Sequence, residues 1–349
     1  MTTHGFRWCP HCKGPHSLVD RICRSTGKAL ESIHHPSSAP PPPSLVGTVL
    51  DGKYRILRLI GQGGMGQVFE AENLHLRRMV AVKVVSGGAR TEGLLRLERE
   101  AHLVAAIQHP NICDVHDVGR MPNGRPYVVF ERLFGQTLAR MRGSRQLPVG
   151  AAIDIFLQIL SGLNAAHMAQ IIHRDLKPEN VFLVDHVGCL PLIKLVDFGL
   201  AQDLTMPSAA RLTRPGRLCG TLQYMSPEQL RAEPVDPRSD LFAVGIMLYE
   251  VLAGRHPFAA PSLVDLQVNI LRAAPLPLRV VRPDVSRELE GLIGWALARA
   301  PSDRPSSAVE LQRSLASLAR SPSIASFGDD DPVSVTEPVW LPRASSPSA

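Results

Sequence analysis

The chain has 349 residues, 44% of them hydrophobic and 20% charged, which is room for one large domain of about 250 residues with extensions and excludes disorder throughout. Thirty-eight Lys and Arg against 32 acids leave a net charge of +6, scattered without a dense basic stripe, so nucleic acid is not an expected partner. Six cysteines, at positions 9, 12, 23, 113, 189 and 219, are too few for a disulfide scaffold and point to a reducing compartment.

In chain order, residues 1–35 are rich in Cys and His and show no apolar signal core. Residues 36–50 form a Pro/Ser-rich linker, opened by Pro36-Ser37-Ser38-Ala39-Pro40-Pro41-Pro42-Pro43, which sustains neither a helix nor a central strand. Alternating apolar residues then predict strands over 54–60, 68–72 and 79–85, with the glycine cluster 61–66 as a turn. A helical period through Leu94, Leu95, Leu97, Leu103, Val104 and Ile107 predicts a helix over 91–107. Strands follow near 113–118 and 126–130. After Pro148 the pattern turns helical, over 149–169, 240–253, 263–271, 286–299 and 307–318. A strand-rich half with one helix therefore precedes a helical half, meeting near residues 131–135. Residues 320–349 are Ser/Pro-rich with three acids at 329–331, and are expected to be disordered. No stretch reaches 18 uninterrupted apolar residues; the longest candidate, 241–254, is broken by Glu250. The expectation is a cytoplasmic protein without a membrane segment of its own; oligomeric state is not legible.

Gly61-Gln62-Gly63-Gly64-Met65-Gly66 is a GxGxxG string. Alone it is weak, because dinucleotide-binding folds use a similar one to open a helix. Here it lies between two predicted strands, which suits a hairpin whose bare backbone amides approach phosphate oxygens. Ala81-Val82-Lys83 then places an ammonium in an apolar strand. Phosphates and Glu100 on the following helix would balance it; Glu98 competes but points to another helix face. A lysine snorkelling from an ordinary strand is the bland alternative.

His173-Arg174-Asp175-Leu176-Lys177-Pro178-Glu179-Asn180 resembles the catalytic loop of eukaryotic-like (Hanks-type) serine/threonine protein kinases of bacteria, and Asp197-Phe198-Gly199 follows 22 residues after Asp175. With the glycine loop, the Val82-Lys83 pair and Ser226-Pro227-Glu228, five motifs occur in the family's order. The resemblance spans about residues 54–318. It implies an α+β, bilobal fold: a small β-rich N-lobe with one major helix, about residues 51–130, and a larger, mainly helical C-lobe, about 135–319.

The resemblance also implies roles. Asp175 would orient and deprotonate a substrate hydroxyl, Lys177 would neutralise the transferring phosphoryl, and Asn180 and Asp197 would hold Mg²⁺ or Mn²⁺ against ATP. Ile60, Gly61, Gly63, Gly66, Val68, Ala81, Lys83 and Glu100 would form the nucleotide site, with Phe130 behind it and Glu131 to Leu133 as the adenine-binding hinge. Arg132 stands where a tyrosine is more usual, and bears on the pocket's mouth. Lys177 and Thr221 resemble the serine/threonine branch. Arg174 implies regulation by a phosphate in the activation segment, residues 197–228, on Thr213 first, then Thr205 or Ser208. Arg211, Arg214 and Arg217 would meet that phosphate or simply face solvent. Glu228 is expected to pair with Arg304, and Asp240 to brace the catalytic loop. The implied activity is ATP-dependent phosphorylation of Ser/Thr hydroxyls on protein substrates, with autophosphorylation in the activation segment and an activating protein as a further partner. A nucleotide-binding scaffold is the alternative; a phosphate-binding reductase leaves Asp175, Asn180 and Asp197 unassigned.

Cys9-Pro10-His11-Cys12 and Cys23 suggest a zinc knuckle and resemble the zinc-ribbon heads of some bacterial kinases, although position 26 is Thr. A fourth ligand would come from His4, His11, His16, His34 or another thiolate. Structural Zn²⁺, an unmetallated Cys/His leader and a redox sensor stay open at this point.

Overall fold

From Tyr54 onward, alternation of buried and exposed side chains generates a curled antiparallel sheet in the computed structural model, which describes residues 6–8, 15–17, 45–63, 66–85, 91–143, 146–185, 191–198 and 221–319. Cys9, Cys12, Cys23, Gly64, Met65, Cys189, Gly199, Thr205, Ser208, Arg211, Thr213, Arg214, Arg217, Cys219 and residues 320–349 lie outside the described residues.

The chain divides into two units, residues 1–46 and 47–349. In the first, β1 (Phe6–Trp8) and β2 (Pro15–Ser17) pair antiparallel, Phe6 opposite Ser17 and Trp8 opposite Pro15. In the second, β3 (Val49–Leu50), β4 (Tyr54–Gly63), β5 (Gly66–Asn73), β6 (Arg78–Val85), β7 (Val115–Arg120) and β8 (Pro126–Glu131) form one sheet in the order β3-β4-β5-β6-β8-β7. The 36–50 linker expectation is corrected at its end. Val49 and Leu50 pair with Arg55 and Tyr54, and burial of Leu50 fixes a two-residue strand too short to leave a periodic signal. The glycine cluster is not a free turn either: β4 runs to Gly63 and β5 starts at Gly66.

Gly66 has φ +152°, and a Cβ there would stand 2.2 Å from the Val84 carbonyl oxygen. Because backbone blocks the new atom, Gly66→Ala is expected to cost about 2–3 kcal/mol. A fall in the calorimetric Tm checks this, and an unchanged Tm would refute it.

Helix α1 (Thr91–Ala105) lays Leu97, Ala101 and Val104 against the core at i, i+4, i+7 spacing. Leu103, counted in the sequence periodicity, is instead 45% exposed.

Past the hinge, β9 (Gly135–Thr137) leads into α2 (Leu138–Arg142), and β9 joins β10 (Val181–Val184) and β11 (Leu192–Leu195) in a small sheet ordered β11-β10-β9. The helical lobe contains α3 (Val149–Met168), α4 (Pro227–Leu230), α5 (Arg238–Ala253), α6 (Leu263–Arg272), α7 (Leu278–Val281), α8 (Arg287–Ala296) and α9 (Ala308–Ala319). Every residue of α5 from Ser239 to Ala253 is buried, which is why its sequence is largely apolar on every side, Ser239, Asp240 and Glu250 excepted. Gly254 ends it with φ 72° in the left-handed region, the usual helix stop. Ser262 and Ser286 cap α6 and α8 by accepting the amides of Asp265 and Leu289.

One helix among the described residues, α3, is long and apolar enough by composition to cross a membrane. It packs on α5 and α9, and its apolar residues, Phe156, Ile159, Leu160 and Leu163 among them, are core. The sequence criterion of uninterrupted apolar residues passed over it because Asp154 and Gln158 interrupt the run. The fold is thus bilobal and α+β, with a curled N-lobe sheet carrying one helix and a mostly helical C-lobe.

Candidate active site

Register places the upper wall. Val68 lies opposite Lys83 and Gly61 on its two sides, while Ala81 lies opposite Glu70 and Phe130. Strand alternation therefore puts Val68, Glu70, Ala81 and Lys83 on one face. That face looks into the cleft, because Lys83 Nζ, on a residue only 7% exposed, reaches Asp197 Oδ1 at 2.7 Å.

The lower wall is the segment between α3 and β11. Lys177 Nζ donates to Asp175 Oδ2 at 2.8 Å, and Asn180 Nδ2 donates to the Asp175 carbonyl at 2.8 Å and to its Oδ2 at 3.3 Å. Asp175 and Asn180 are each 5% exposed. With its NH₂ group facing a carbonyl, Asn180 turns its amide oxygen the other way, an acceptor suited to a hard cation. Asp197 brings a carboxylate. Burial pushes that carboxyl up, but the charge and hydrogen bond of Lys83, with His173 and Lys177 behind, more than offset this and hold it below the ordinary value. Asn180 and Asp197 are thus oxygen donors of the kind that Mg²⁺ would take.

Two residues at this floor are non-glycine yet left-handed, Arg174 at φ 63° and Asp197 at φ 60°. Each such position costs about 1–2 kcal/mol, so the surroundings must impose it. For Arg174 the clamp is Asp240 at the start of α5. Its Oδ2 accepts the His173 amide and its Oδ1 the Arg174 amide, both at 2.9 Å, and His167 Nε2 lies 2.8 Å from Oδ2. Burial raises the Asp240 carboxyl, and these hydrogen bonds and the nearby histidines bring it below its usual range. His173, fully buried, holds the Val196 carbonyl at 3.0 Å and lies 4.6 Å, centroid to centroid, from the Phe198 ring.

Lys83 Nζ pairs with Asp197 Oδ1; Glu100, its expected partner, lies on α1. Glu98, two residues earlier on α1, is held by Arg120 Nε of β7 at 2.8 Å. Glu100 lines a cavity of about 140 Å³ together with Arg174 and Phe198. Arg174 is exposed, and its carbonyl accepts Gln229 Nε2 at 2.8 Å. Thr221 begins a 3-10 turn, Thr221–Tyr224.

Glu228 and Arg304, 76 residues apart, meet through two parallel bonds of 2.7 and 2.8 Å. The remaining Arg304 donors go to the carbonyls of Ala298, Arg238 and Arg299, so all five are used.

The hinge holds two interactions that sequence reasoning passed over. Lys194 of β11, 8% exposed, donates to Glu131 Oε1 at 2.6 Å and to the Ile112 carbonyl at 3.2 Å, tying the floor to the hinge. The signal that singled out Lys83, an ammonium inside an apolar strand, was present in Leu192-Ile193-Lys194-Leu195 as well. Arg132 Nε donates to Glu70 Oε1 at 2.8 Å. Leu133, 9% exposed, and Ile60 flank this mouth of the cleft by position in the chain.

Residues 54–315 match the family model described as protein kinase domain. The chain is 41% identical over 271 residues to serine/threonine-protein kinase pkn3 of Myxococcus xanthus, covering 75% of this chain and 49% of that protein. It is 36% identical over 271 residues to PrkC of Bacillus subtilis (77% and 41% covered), and 38% identical over 272 residues to PknB of Mycolicibacterium smegmatis (76% and 43% covered). The chain therefore spans about half the length, or less, of these relatives. A cleft with Lys83 and Asp197 paired across it, an Asp175–Lys177–Asn180 floor and a matching family model over three quarters of the sequence lead to one assignment: the chain belongs to the protein kinase family, in its bacterial serine/threonine branch.

Proposed function

We propose that this chain transfers the γ-phosphoryl of ATP to serine or threonine hydroxyls of proteins. The observation that carries the reading is the convergence of Lys83 from the sheet with Asp197, Asp175, Lys177 and Asn180 from the other lobe. Asp175 orients the hydroxyl and takes its proton, and Lys177, 2.8 Å from that carboxylate, places positive charge beside the reacting group. Lys83 anchors phosphate oxygens, while the hinge 131–133 and the wall of Val68 and Ala81 receive the base. Asn180 and Asp197 would hold Mg²⁺, which would neutralise charge on the phosphates. The names of the relatives support the serine/threonine preference.

Autophosphorylation on Thr213, Thr205 or Ser208, read out by Arg174, is part of this reading, as is control by a partner protein. A reducing compartment, the cytoplasm, is supported by cysteine usage, with Cys113 a free thiol buried in the core. The test is mass spectrometry of purified protein incubated with Mg²⁺ and ATP. Phosphate on Ser or Thr of the chain, or of an added general protein substrate, is the expected result. A folded protein that binds Mg²⁺-ATP but phosphorylates nothing would move the reading to a nucleotide-binding scaffold.

A second reading concerns the first unit. We infer one structural Zn²⁺ on Cys9, Cys12 and Cys23. Its support is the antiparallel pairing of β1 and β2, whose facing ends, Trp8 and Pro15, bracket the Cys9–Cys12 pair in sequence. A unit this small has little core of its own, and metal binding would supply its folding free energy. One zinc per purified chain, lost in Cys9→Ser, is expected; equal zinc content in both proteins would overturn it.

A further inference from the structure

Arg132 occupies the hinge with an arrangement that its place in the sequence does not require. Its Nε donates to Glu70 Oε1 at 2.8 Å, its Nη1 donates to the Leu133 carbonyl of the same hinge, and its guanidinium carbon lies 4.6 Å above the Phe134 ring centre. The Arg132 side chain is 14% exposed and that of Glu70 10%, whereas Phe134 is 60% exposed at the rim. Glu70 belongs to the sheet face that carries Val68, Ala81 and Lys83, one strand step from the wall assigned to the purine. Its second oxygen accepts Arg58 Nε at 2.5 Å, on the neighbouring strand β4. Burial raises the Glu70 carboxyl, and the two arginines more than offset that, so it stays charged and below its ordinary value. A planar guanidinium is suited to this duty: it spends one edge on a carboxylate, another on a carbonyl and its face on a ring.

We propose that Arg132 is a positioning residue for ATP, fastening the hinge to β5 through Glu70 and bracing Phe134 at the rim, so that the Glu131–Leu133 backbone is held at the spacing that receives the base. This rests on the ATP-dependent reading above. Arg132 then sets nucleotide affinity and leaves the phosphoryl-transfer groups, which sit on the Asp175 side of the cleft, undisturbed. Arg58 reaches the same carboxylate from β4, outside the hinge segment, and so separates positioning from mere neutralisation of Glu70.

The experiment measures Mg²⁺-ATP dissociation by calorimetry, and KM and kcat where turnover is seen, for the full chain and for Arg132→Met, Arg132→Lys and Arg58→Met. Glu70 keeps one arginine in each variant, so no buried carboxylate is stranded. Arg132→Met is expected to weaken ATP about fivefold, the effect of one charge-assisted bond at a partly exposed rim, with kcat and the protein-substrate KM unchanged. Arg132→Lys is expected to recover part of that loss, and Arg58→Met to bind ATP as the parent does. Unchanged affinity in Arg132→Met, an equal loss in Arg58→Met, or a fall in kcat with KM unmoved would each overturn the proposal. A parent protein that binds ATP without transferring phosphate would sink the transfer reading alone, and the dissociation constants would still decide the role of Arg132. A folded parent that does not bind ATP sinks both.

Discussion

Asp175→Asn is expected to lower phosphoryl-transfer turnover by a factor of about 10²–10⁴, the usual contribution of a positioned general base, while ATP affinity stays close to that of the parent. The separation follows from where the groups sit. Asp175 accepts from Lys177 Nζ and Asn180 Nδ2 and is 5% exposed, so an amide of the same shape keeps the packing and leaves an oxygen for those donors. Lys83, the residue proposed to address the phosphates, comes from the sheet on the other side of the cleft and is tied to Asp197 instead. What the substitution removes is the capacity to take the proton of the attacking hydroxyl. Initial-rate kinetics with a protein substrate, paired with calorimetric ATP binding, give the two numbers. Retained turnover would remove Asp175 from the chemistry. Turnover and binding falling together would mean that the substitution had damaged the fold.

Arg304→Met is expected to destabilise the helical lobe by about 3–5 kcal/mol, the cost of stranding a buried carboxylate. Glu228 is 2% exposed and Arg304 3%, and besides their paired bonds Ser239 Oγ donates to Glu228 Oε1 at 2.5 Å. The guanidinium also lies 4.8 Å from the Phe242 ring centre, so its loss removes packing as well as charge. Differential scanning calorimetry reads the effect as a lower Tm. The double variant Arg304→Met/Glu228→Gln is expected to lose less than the sum of the single changes, because the stranded charge is gone.

The same pair predicts acid sensitivity. Burial raises the Glu228 carboxyl, but the Arg304 and Ser239 hydrogen bonds and the Arg304 charge outweigh it and bring it from 4.5 down to about 2. A carboxyl depressed on folding contributes stability that is complete above the ordinary value and is lost as pH falls through the folded one. Tm should therefore decline between pH 4.5 and about 2, and Glu228→Gln should flatten that decline. A parallel decline in the variant would assign the acid sensitivity to other carboxylates.

Much of this molecule was legible without coordinates, for an identifiable reason. The candidate site residues sit in short strings, His173 to Asn180 and Asp197 to Gly199, whose proposed chemistry needs fixed residue types at fixed spacing. Long elements such as α3 and α5 carry enough period to be read, and their ends fell within a few residues of expectation. The short ones did not: β3, β9, α2 and α7 have two to five residues each, less than one clear repeat of any pattern.

The amino-acid sequence by itself determined the fold class and the family, because those follow from local order along the chain. Tertiary structure alone decided who pairs with whom. Lys83 and Asp197 are far apart in sequence, as are Arg132 and Glu70, and Lys194 and Glu131; folding brings each pair together, and pairing offsets the cost of taking the charges out of water. The Lys83–Asp197 pair joins the sheet to the segment after β11, a meeting that no local pattern along the chain announces.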